Sequence, residues 1–480
     1  MTLSPRRWAA LATSALVLGL LPGAVPAVAD PAPTAAEMPS PGAAGMGDPY
    51  FPLDGNGGID VVRYEVHDTY DFTTRHLSGW TRLTVRATQA LSRFDLDLLL
   101  PVQGVTVDGV PAAYAKPDLH ELRVTPASPI ARGDRVQVLV RYAGQPEKLG
   151  WNGEHNWLAD DSEVVAMNEP HMAPWWFPAN DHPRDRALMD LHITTAADKQ
   201  VVANGHLVGR EVHGRRATTH WRAAEPMVPY LAFFAAGHFV IRHGVHDGLP
   251  WYVAVSDRIP TSTRNASLRL MERTPGIVTW LERQLGHYPF ADTGGLTTSL
   301  NPGFALENQT RPTYPVLTSE AVTTVVHELA HQWFGDSVAV ANWRDIWLNE
   351  GAATFMEARY AETHGGQSAQ QWLEYWYDTL ADDADFWTLQ VDDPGRDHIF
   401  DWQVYQRGGM ALQALRHRIG NDDYWRLLRQ WVHSRAGGNG STRQFEALAE
   451  QVSGQQLDGF FKAWLVDPTR PARTAANGLG

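Results

Sequence analysis

From about residue 59 the apolar positions alternate with polar ones. Val62, Tyr64 and Val66 form one such set, followed by Leu83, Val85 and Ala87, by Phe94, Leu96 and Leu98, and by Val136, Val138 and Val140. A period of two is that of a strand with one face buried. Asp108-Gly109, just after Val105 and Val107, supplies hairpin chemistry, because a two-residue turn needs residues that tolerate positive φ. Such runs continue to about residue 245 and predict an antiparallel β domain over 50–245. After about residue 264 the period lengthens. Helices are predicted over 350–364, 369–381, 404–419 and 423–436, and from Glu320 to Phe334 with Ser319 as cap and Gly335 as stop. The fold class is thus multidomain α+β, an N-terminal antiparallel β domain followed by a mainly α domain over 246–468, with a tail over 469–480. No internal repeat recurs at a fixed period.

The chain's first residues follow another logic. Arg6 and Arg7 precede an apolar run from Trp8 to Leu21, and Ala27-Val28-Ala29 is a small-x-small cleavage site. This reads as a signal peptide over 1–29, cleaved after Ala29, and predicts a secreted protein. The run is 14 residues long, short of the roughly 20 that span a bilayer, so no membrane association is expected after its removal. Residues 30–49 are rich in Pro, Ala and Gly and predict a flexible leader.

Composition narrows the chemistry. The chain has 480 residues and a formal net charge of −14, and no local run of Lys and Arg could neutralise phosphates, which sets nucleic acid aside as a partner. It contains no Cys, so disulfides, thiol nucleophiles and Cys-bound zinc are excluded and His, Asp and Glu remain as metal ligands. The many Trp residues, among them Trp372, Trp376, Trp425 and Trp431, fit a helical core stripe better than sugar-stacking platforms.

His327-Glu328-Leu329-Ala330-His331 lies on the capped helix. At i and i+4 the two imidazoles project from one face and can share a metal, while Glu328, about 100° further round, faces a metal-bound water without being a ligand. With eighteen residues intervening, Glu350 follows His331 in Trp347-Leu348-Asn349-Glu350-Gly351. Two His and one Glu leave the fourth tetrahedral position to water, the arrangement of catalytic rather than structural zinc.

His331-Gln332-Trp333-Phe334-Gly335-Asp336 followed by the Glu350 segment resembles the zinc aminopeptidases of the aminopeptidase N family, in the gluzincin clan. Phe304-Ala305-Leu306-Glu307-Asn308 is similar to that family's G-A-M-E-N exopeptidase motif, and Tyr405-Gln406-Arg407-Gly408 to its Y-E-K-G. Glu169-Pro170 ahead of Trp176-Phe177-Pro178 and Asn180-Asp181-His182-Pro183 resembles its E-P…F-P…D-E-P segment. The resemblance implies a thermolysin-like catalytic domain with one zinc on His327, His331 and Glu350, and Glu328 as general base. Tyr405 would donate to the oxyanion. Glu307 and Glu169 would hold the free α-ammonium of a peptide, with Ala305 and Asn308 in the same substrate site. Pro174 stands where the family segment usually has Arg, and Phe304 brings bulk where relatives have Gly. The chain stops soon after Phe460-Phe461-Lys462-Ala463-Trp464, so the resemblance is to a short form lacking the C-terminal helical domain. Two other readings remain open: a zinc endopeptidase with the same metal centre, and a non-catalytic peptide-binding relative. The oligomeric state is not read from the sequence.

Overall fold

Along the strand Ile59–Asp71 the side chains of Tyr64, Val66 and Tyr70 are buried while Arg63, Glu65 and His67 face outward, as the period of two requires. The computed structural model describes residues 37–480, Ser319 excepted. The signal peptide expected over 1–29 and the cap expected at Ser319 lie outside the described residues. Strand 59–71 is central in an eight-stranded sheet ordered 206–213, 216–227, 187–196, 59–71, 76–87, 135–144, 102–107, 110–111. One pair departs from the antiparallel expectation. Leu188–Thr194 runs parallel to Arg63–Thr69, which is possible because most of the β region lies between them in the chain and supplies the long connection a parallel pair needs. Val62 sits at a register shift between Val61 and Arg63 and is not fully buried; the bulge moves it off the inward face. Asp108 and Gly109 both take positive φ, 49° and 77°, at the hairpin joining Val107 to Val110.

Two four-stranded sheets pack beside the large one, ordered 40–41, 91–97, 121–125, 113–115 and 158–159, 164–166, 234–237, 200–203. A further sheet, 239–246, 249–256, 293–297, 313–314, carries parallel pairs. The strand Phe239–His246, expected at the end of the β domain, therefore belongs by pairing to the sheet that supports the helices.

Ten α-helices follow its hairpin among the described residues: α1 (Thr261–Met271), α2 (Thr274–Leu285), α3 (Val322–Ala330), α4 (Trp347–Thr363), α5 (Ala369–Thr379), α6 (Ala384–Thr388), α7 (Trp402–Ile419), α8 (Asn421–Ser434), α9 (Thr442–Ser453) and α10 (Asp458–Phe461). No helix among the described residues is long and apolar enough to cross a membrane. Trp425 and Trp431 are buried, and Trp372 and Trp376 pack half-buried against the core.

Three expectations are corrected. α3 is shorter than 320–334. Its first turn, Val322-Thr323-Thr324-Val325, is β-branched and a poor helix former, and beyond Ala330 the chain leaves the helical ladder. There Asp336 N donates to His331 O, Ser337 N to Gln332 O and Val338 N to Trp333 O, with Gly335 turning at φ 119°. The leader expected over 30–49 is part of the fold from Ser40 on. Ser40 and Pro41 pair with the strand 91–97, and the buried Asp48 carboxylate accepts from Trp343 N at 2.9 Å and lies 3.3 Å from His182. The tail expected over 469–480 is also docked. Tyr377 OH donates to Pro471 O, Trp464 Nε1 donates to Asn477 O, and Leu479 is buried. Few apolar residues suffice when a short segment settles on a surface already formed.

Candidate active site

α3 brings His327 and His331 to one side, one turn apart, and α4 brings Glu350 in its first turn. Glu350 Oε2 lies 3.3 Å from His327 Nε2 and 3.4 Å from His331 Nε2. A tetrahedron with metal–ligand bonds of about 2.0–2.1 Å has edges of about 3.3–3.4 Å, so the donor spacing fits zinc. Both rings are oriented from behind. His327 Nδ1 is 2.8 Å from Glu357 Oε1, and His331 Nδ1 is 3.0 Å from Phe334 O; each acceptor fixes the proton on Nδ1 and leaves Nε2 bare for a cation. A second convergence, Glu307, Glu328 and His331, lacks this double orientation.

The charges match. Burial would raise the Glu350 carboxyl, but His331 and His327 outweigh it and hold it down at about 2. Burial would lower His331, but Glu350 and Glu307 hold it up at about 9. The protons stored between these groups are those a dication would displace. Burial pushes Glu328, between the two His on α3, up to about 8, with His327 and His331 opposing.

Tyr405, in the first turn of α7, stacks over His327 with ring centroids 6.0 Å apart. It reaches the metal side because α4 and α7 touch through glycines: a Cβ on Gly351 would sit 2.8 Å from the carbonyl carbon of Gly408. Tyr405 precedes that contact by one turn and Glu350 precedes it by one residue.

Phe304 to Asn308 runs along the edge strand 313–314 of the sheet that supports the helices, pinned by reciprocal 2.8 Å hydrogen bonds between Leu306 and Thr313. Gln332, next to His331, donates to Glu307 O at 2.9 Å and accepts from Thr310 N at 2.8 Å, tying that edge to α3. Glu169 comes from the β region. The cavity these elements enclose is about 360 Å³ and is lined by Glu169, Phe304, Ala305, Glu307, His327, Glu328, His331, Glu350 and Tyr405, with Asn168, Leu306 and Phe400. Its lining holds four glutamates and no Lys or Arg. Burial, reinforced by Glu307 and Glu350, drives the Glu169 carboxyl well above the usual range, and burial likewise raises Glu307. Glu169 Oε1 has no hydrogen-bond partner. A larger groove of about 1300 Å³, lined in part by Arg283, His287, Arg426 and Arg429, contains none of these groups.

Asn308 does not line the cavity. Its side chain is buried and donates to Leu231 O at 3.0 Å, holding the Glu307 strand to the β region. Pro174 is buried in a short turn, its carbonyl accepting from Leu99 N, and Phe304 is 43% exposed at the cavity mouth. Reading the sequence missed Glu357, which two turns of α4 place on the Glu350 face. It also missed Gln332, Phe400 and Tyr230, whose hydroxyl is 3.5 Å from Glu307 Oε1.

Two imidazoles from one helix and a glutamate from the next close on a shared donor point, a donor set suited to a gluzincin-type zinc site. Residues 295–464 match the peptidase family M1 domain. An M1 zinc metallopeptidase from Deinococcus radiodurans, in a crystal structure with a Tyr-Ser-Ala substrate bound to a glutamate-to-alanine mutant, superposes with a TM-score of 0.79 at 28% identity, over 89% of this chain and 99% of that one. Tricorn protease-interacting factor F2 of Thermoplasma acidophilum is 23% identical over 336 residues, 64% of this chain and 41% of its own. Aminopeptidase N of Streptomyces lividans is 30% identical over 175 residues, 32% of this chain and 20% of its own. The chain thus spans well under half the length of these curated relatives and nearly all of the Deinococcus structure. Residues 295–464 thus carry a peptidase family M1 domain, and the structure that the chain resembles over 89% of its length is an M1 zinc metallopeptidase.

Proposed function

We propose that the chain is a secreted zinc aminopeptidase that hydrolyses the first peptide bond of peptides with a free N-terminus. The observation that carries this reading is that Glu169 and Glu307 both line the cavity with no Lys or Arg to pair them. Glu169 Oε1 has no hydrogen-bond partner and Glu307 has only a long contact to Tyr230, so both carboxyls are costly to ionise, and a substrate ammonium supplies the missing charge. An endopeptidase has no use for that arrangement.

Held by His327, His331 and Glu350, zinc would supply a Lewis acid for the scissile carbonyl and acidify a water. Glu328 then takes the proton of the attacking water and returns it to the leaving amine. Tyr405 donates its phenol to the oxyanion, a contribution typically worth roughly a hundred- to a thousandfold in rate. Glu307 and Glu169 fix the ammonium, which sets which bond reaches Glu328. Phe304 and Phe400 narrow the mouth and limit the entry of water. Export rests on Arg6, Arg7, the apolar run and Ala27-Val28-Ala29, and N-terminal sequencing of the mature protein should begin at Asp30.

The test is kcat/KM for one peptide with a free and with an acetylated N-terminus. Losing a charged partner from a buried pair costs about 2–5 kcal/mol, so the acetylated peptide should be cleaved at least thirtyfold less efficiently. Equal efficiency would make the protein an endopeptidase.

A further inference from the structure

The outward face of the eight-stranded sheet carries a second concentration of histidines. His220, His192 and His67 stand in register on three adjacent strands, His192 opposite His220 on one side and opposite His67 on the other, and Trp80 follows on the fourth strand. Their rings form one stack. Trp80 to His67 is 3.8 Å between centroids, His67 to His192 is 4.0 Å and His192 to His220 is 3.9 Å, with interplanar angles of 16° or less.

Two residues along the same face runs a parallel row, Arg222, Asp190, Glu65 and Arg82, also in register. Asp190 accepts from Arg222 and Arg63 and lies 2.8 Å from His220 Nε2. Glu65 accepts from Arg82 and lies 2.9 Å from His67 Nε2. These three arginines offset the two carboxylates, so cation affinity here comes mainly from the imidazoles. His192, in the middle, makes no hydrogen bond to any group among the described residues.

Three stacked imidazoles cannot all be charged without repelling one another. With no hydrogen bond to occupy it, the central ring in its neutral form keeps one free nitrogen lone pair, the form in which imidazole binds metals. In two overlapping sets, Glu65 with His67 and His192, and Asp190 with His192 and His220, every donor atom already lies within 4.8 Å of the others. For their lone pairs to converge on one ion, the stacked rings must rotate out of parallel. All three histidines are partly exposed, so an ion can reach them.

We propose that this ladder is a second metal site, taking a divalent transition metal of the zinc, nickel or copper class, with His192 as the shared ligand and one flanking His–carboxylate pair completing the set. Nitrogen donors favour these ions over calcium or magnesium. Bound there, the ion ties two adjacent strands across their hydrogen-bonding direction, a staple for a chain with no Cys. None of these residues lines the catalytic cavity, so the ion is structural.

The test uses the zinc-loaded, active protein. After equilibrium dialysis against micromolar zinc, wild type should hold two equivalents per chain and His192→Gln one, with peptidase activity equal in both. His331→Ala should lose the catalytic equivalent and keep the other, so the two sites fail independently. Free zinc or nickel should raise the unfolding temperature of wild type by several degrees but leave His192→Gln unmoved. Separate His67→Gln and His220→Gln variants identify the completing pair. A single equivalent in wild type with the catalytic site intact, or a second equivalent that survives in His192→Gln, would overturn the proposal.

Discussion

Gly351 and Gly408 are in backbone contact: a Cβ on Gly351 would lie 2.8 Å from the Gly408 carbonyl carbon, and one on Gly408 would lie 3.0 Å from Gly351 Cα. α4 and α7 can approach this closely only where neither carries a side chain, and the approach places Tyr405 near Glu350. Gly351→Ala should destabilise the fold by about 1–3 kcal/mol, the usual cost of overpacking, and lower kcat by separating the phenol from the metal ligands. Urea unfolding and steady-state kinetics measure the two effects. Loss of stability with unchanged kcat would mean that Tyr405 needs no such closeness.

Glu357 reaches only the back of His327, at 2.8 Å from Nδ1. Removing a partner that orients a ligand His typically costs ten- to a hundredfold in metal affinity. Glu357→Gln should therefore release zinc to a chelator at ten- to a hundredfold lower chelator concentration than wild type while remaining active when zinc is in excess.

How much of this was legible in the sequence depends on range. His327, Glu328 and His331 are local, and helix geometry alone brings them together; Glu357 was legible by the same rule, seven residues after Glu350, but carries no motif of its own. Glu169, Glu307 and Tyr405 are brought together only by the packing of separate elements, and resemblance rather than periodicity singled them out. Gln332 and Asn308 show the limit. Both sit inside recognisable motifs, yet their work is to bond a strand edge that only the folded chain presents. The strands 59–71 and 135–144 announced themselves by alternation, and the helix carrying His327 was expected although the Val and Thr of its first turn favour a strand; its ends were not, because backbone bonds beyond Ala330 form only in the folded chain. The pairing of 59–71 with 187–196 leaves no local trace at all.

Glu328→Gln should leave the fold and zinc content unchanged, since all three ligands remain, while turnover falls by roughly a hundredfold to ten-thousandfold. Metal analysis and single-turnover kinetics on the same preparation check this. Near-normal turnover in a zinc-loaded variant would remove Glu328 from the proton transfer.

His171, which does not line the cavity, offers a pH test of stability. It is fully buried, with Nδ1 2.9 Å from Glu154 and Nε2 2.9 Å from Asp54. Burial works against its charge, but Asp54 and Glu154 outweigh it and raise its pKa well above 6.5. A raised folded pKa means that the pairing contributes fully below the unfolded value, near 6.5, and is lost as pH rises through the folded value. His171→Asn should thus cost about 3–5 kcal/mol at pH ~6 and distinctly less at strongly alkaline pH. Urea midpoints of both proteins at the two pH values decide it; a constant gap would mean that packing against Phe51 and Trp151, not charge, is what His171 provides.

Glu307 and Glu169 line the same cavity from different parts of the fold, and Glu307 is the largest charge raising Glu169. If one ammonium satisfies both, the carboxyls act as a unit. Removing either leaves the substrate cation half-paired and also relieves the repulsion on the survivor, so the second removal should cost less than the first. Glu307→Gln and Glu169→Gln should each lower kcat/KM for a free-amino peptide, Glu307→Gln by thirtyfold or more for a loss of about 2–5 kcal/mol. The double variant should fall short of the product of the two losses by about 0.5–3 kcal/mol. Neither should much change the slow cleavage of the acetylated peptide, which has no charge to place between them. The measurement is a double-mutant cycle run on both peptides. Strict additivity on the free-amino peptide would show that the two glutamates act on different groups, and equal losses on both peptides would show that they shape the cavity rather than recognise an N-terminus.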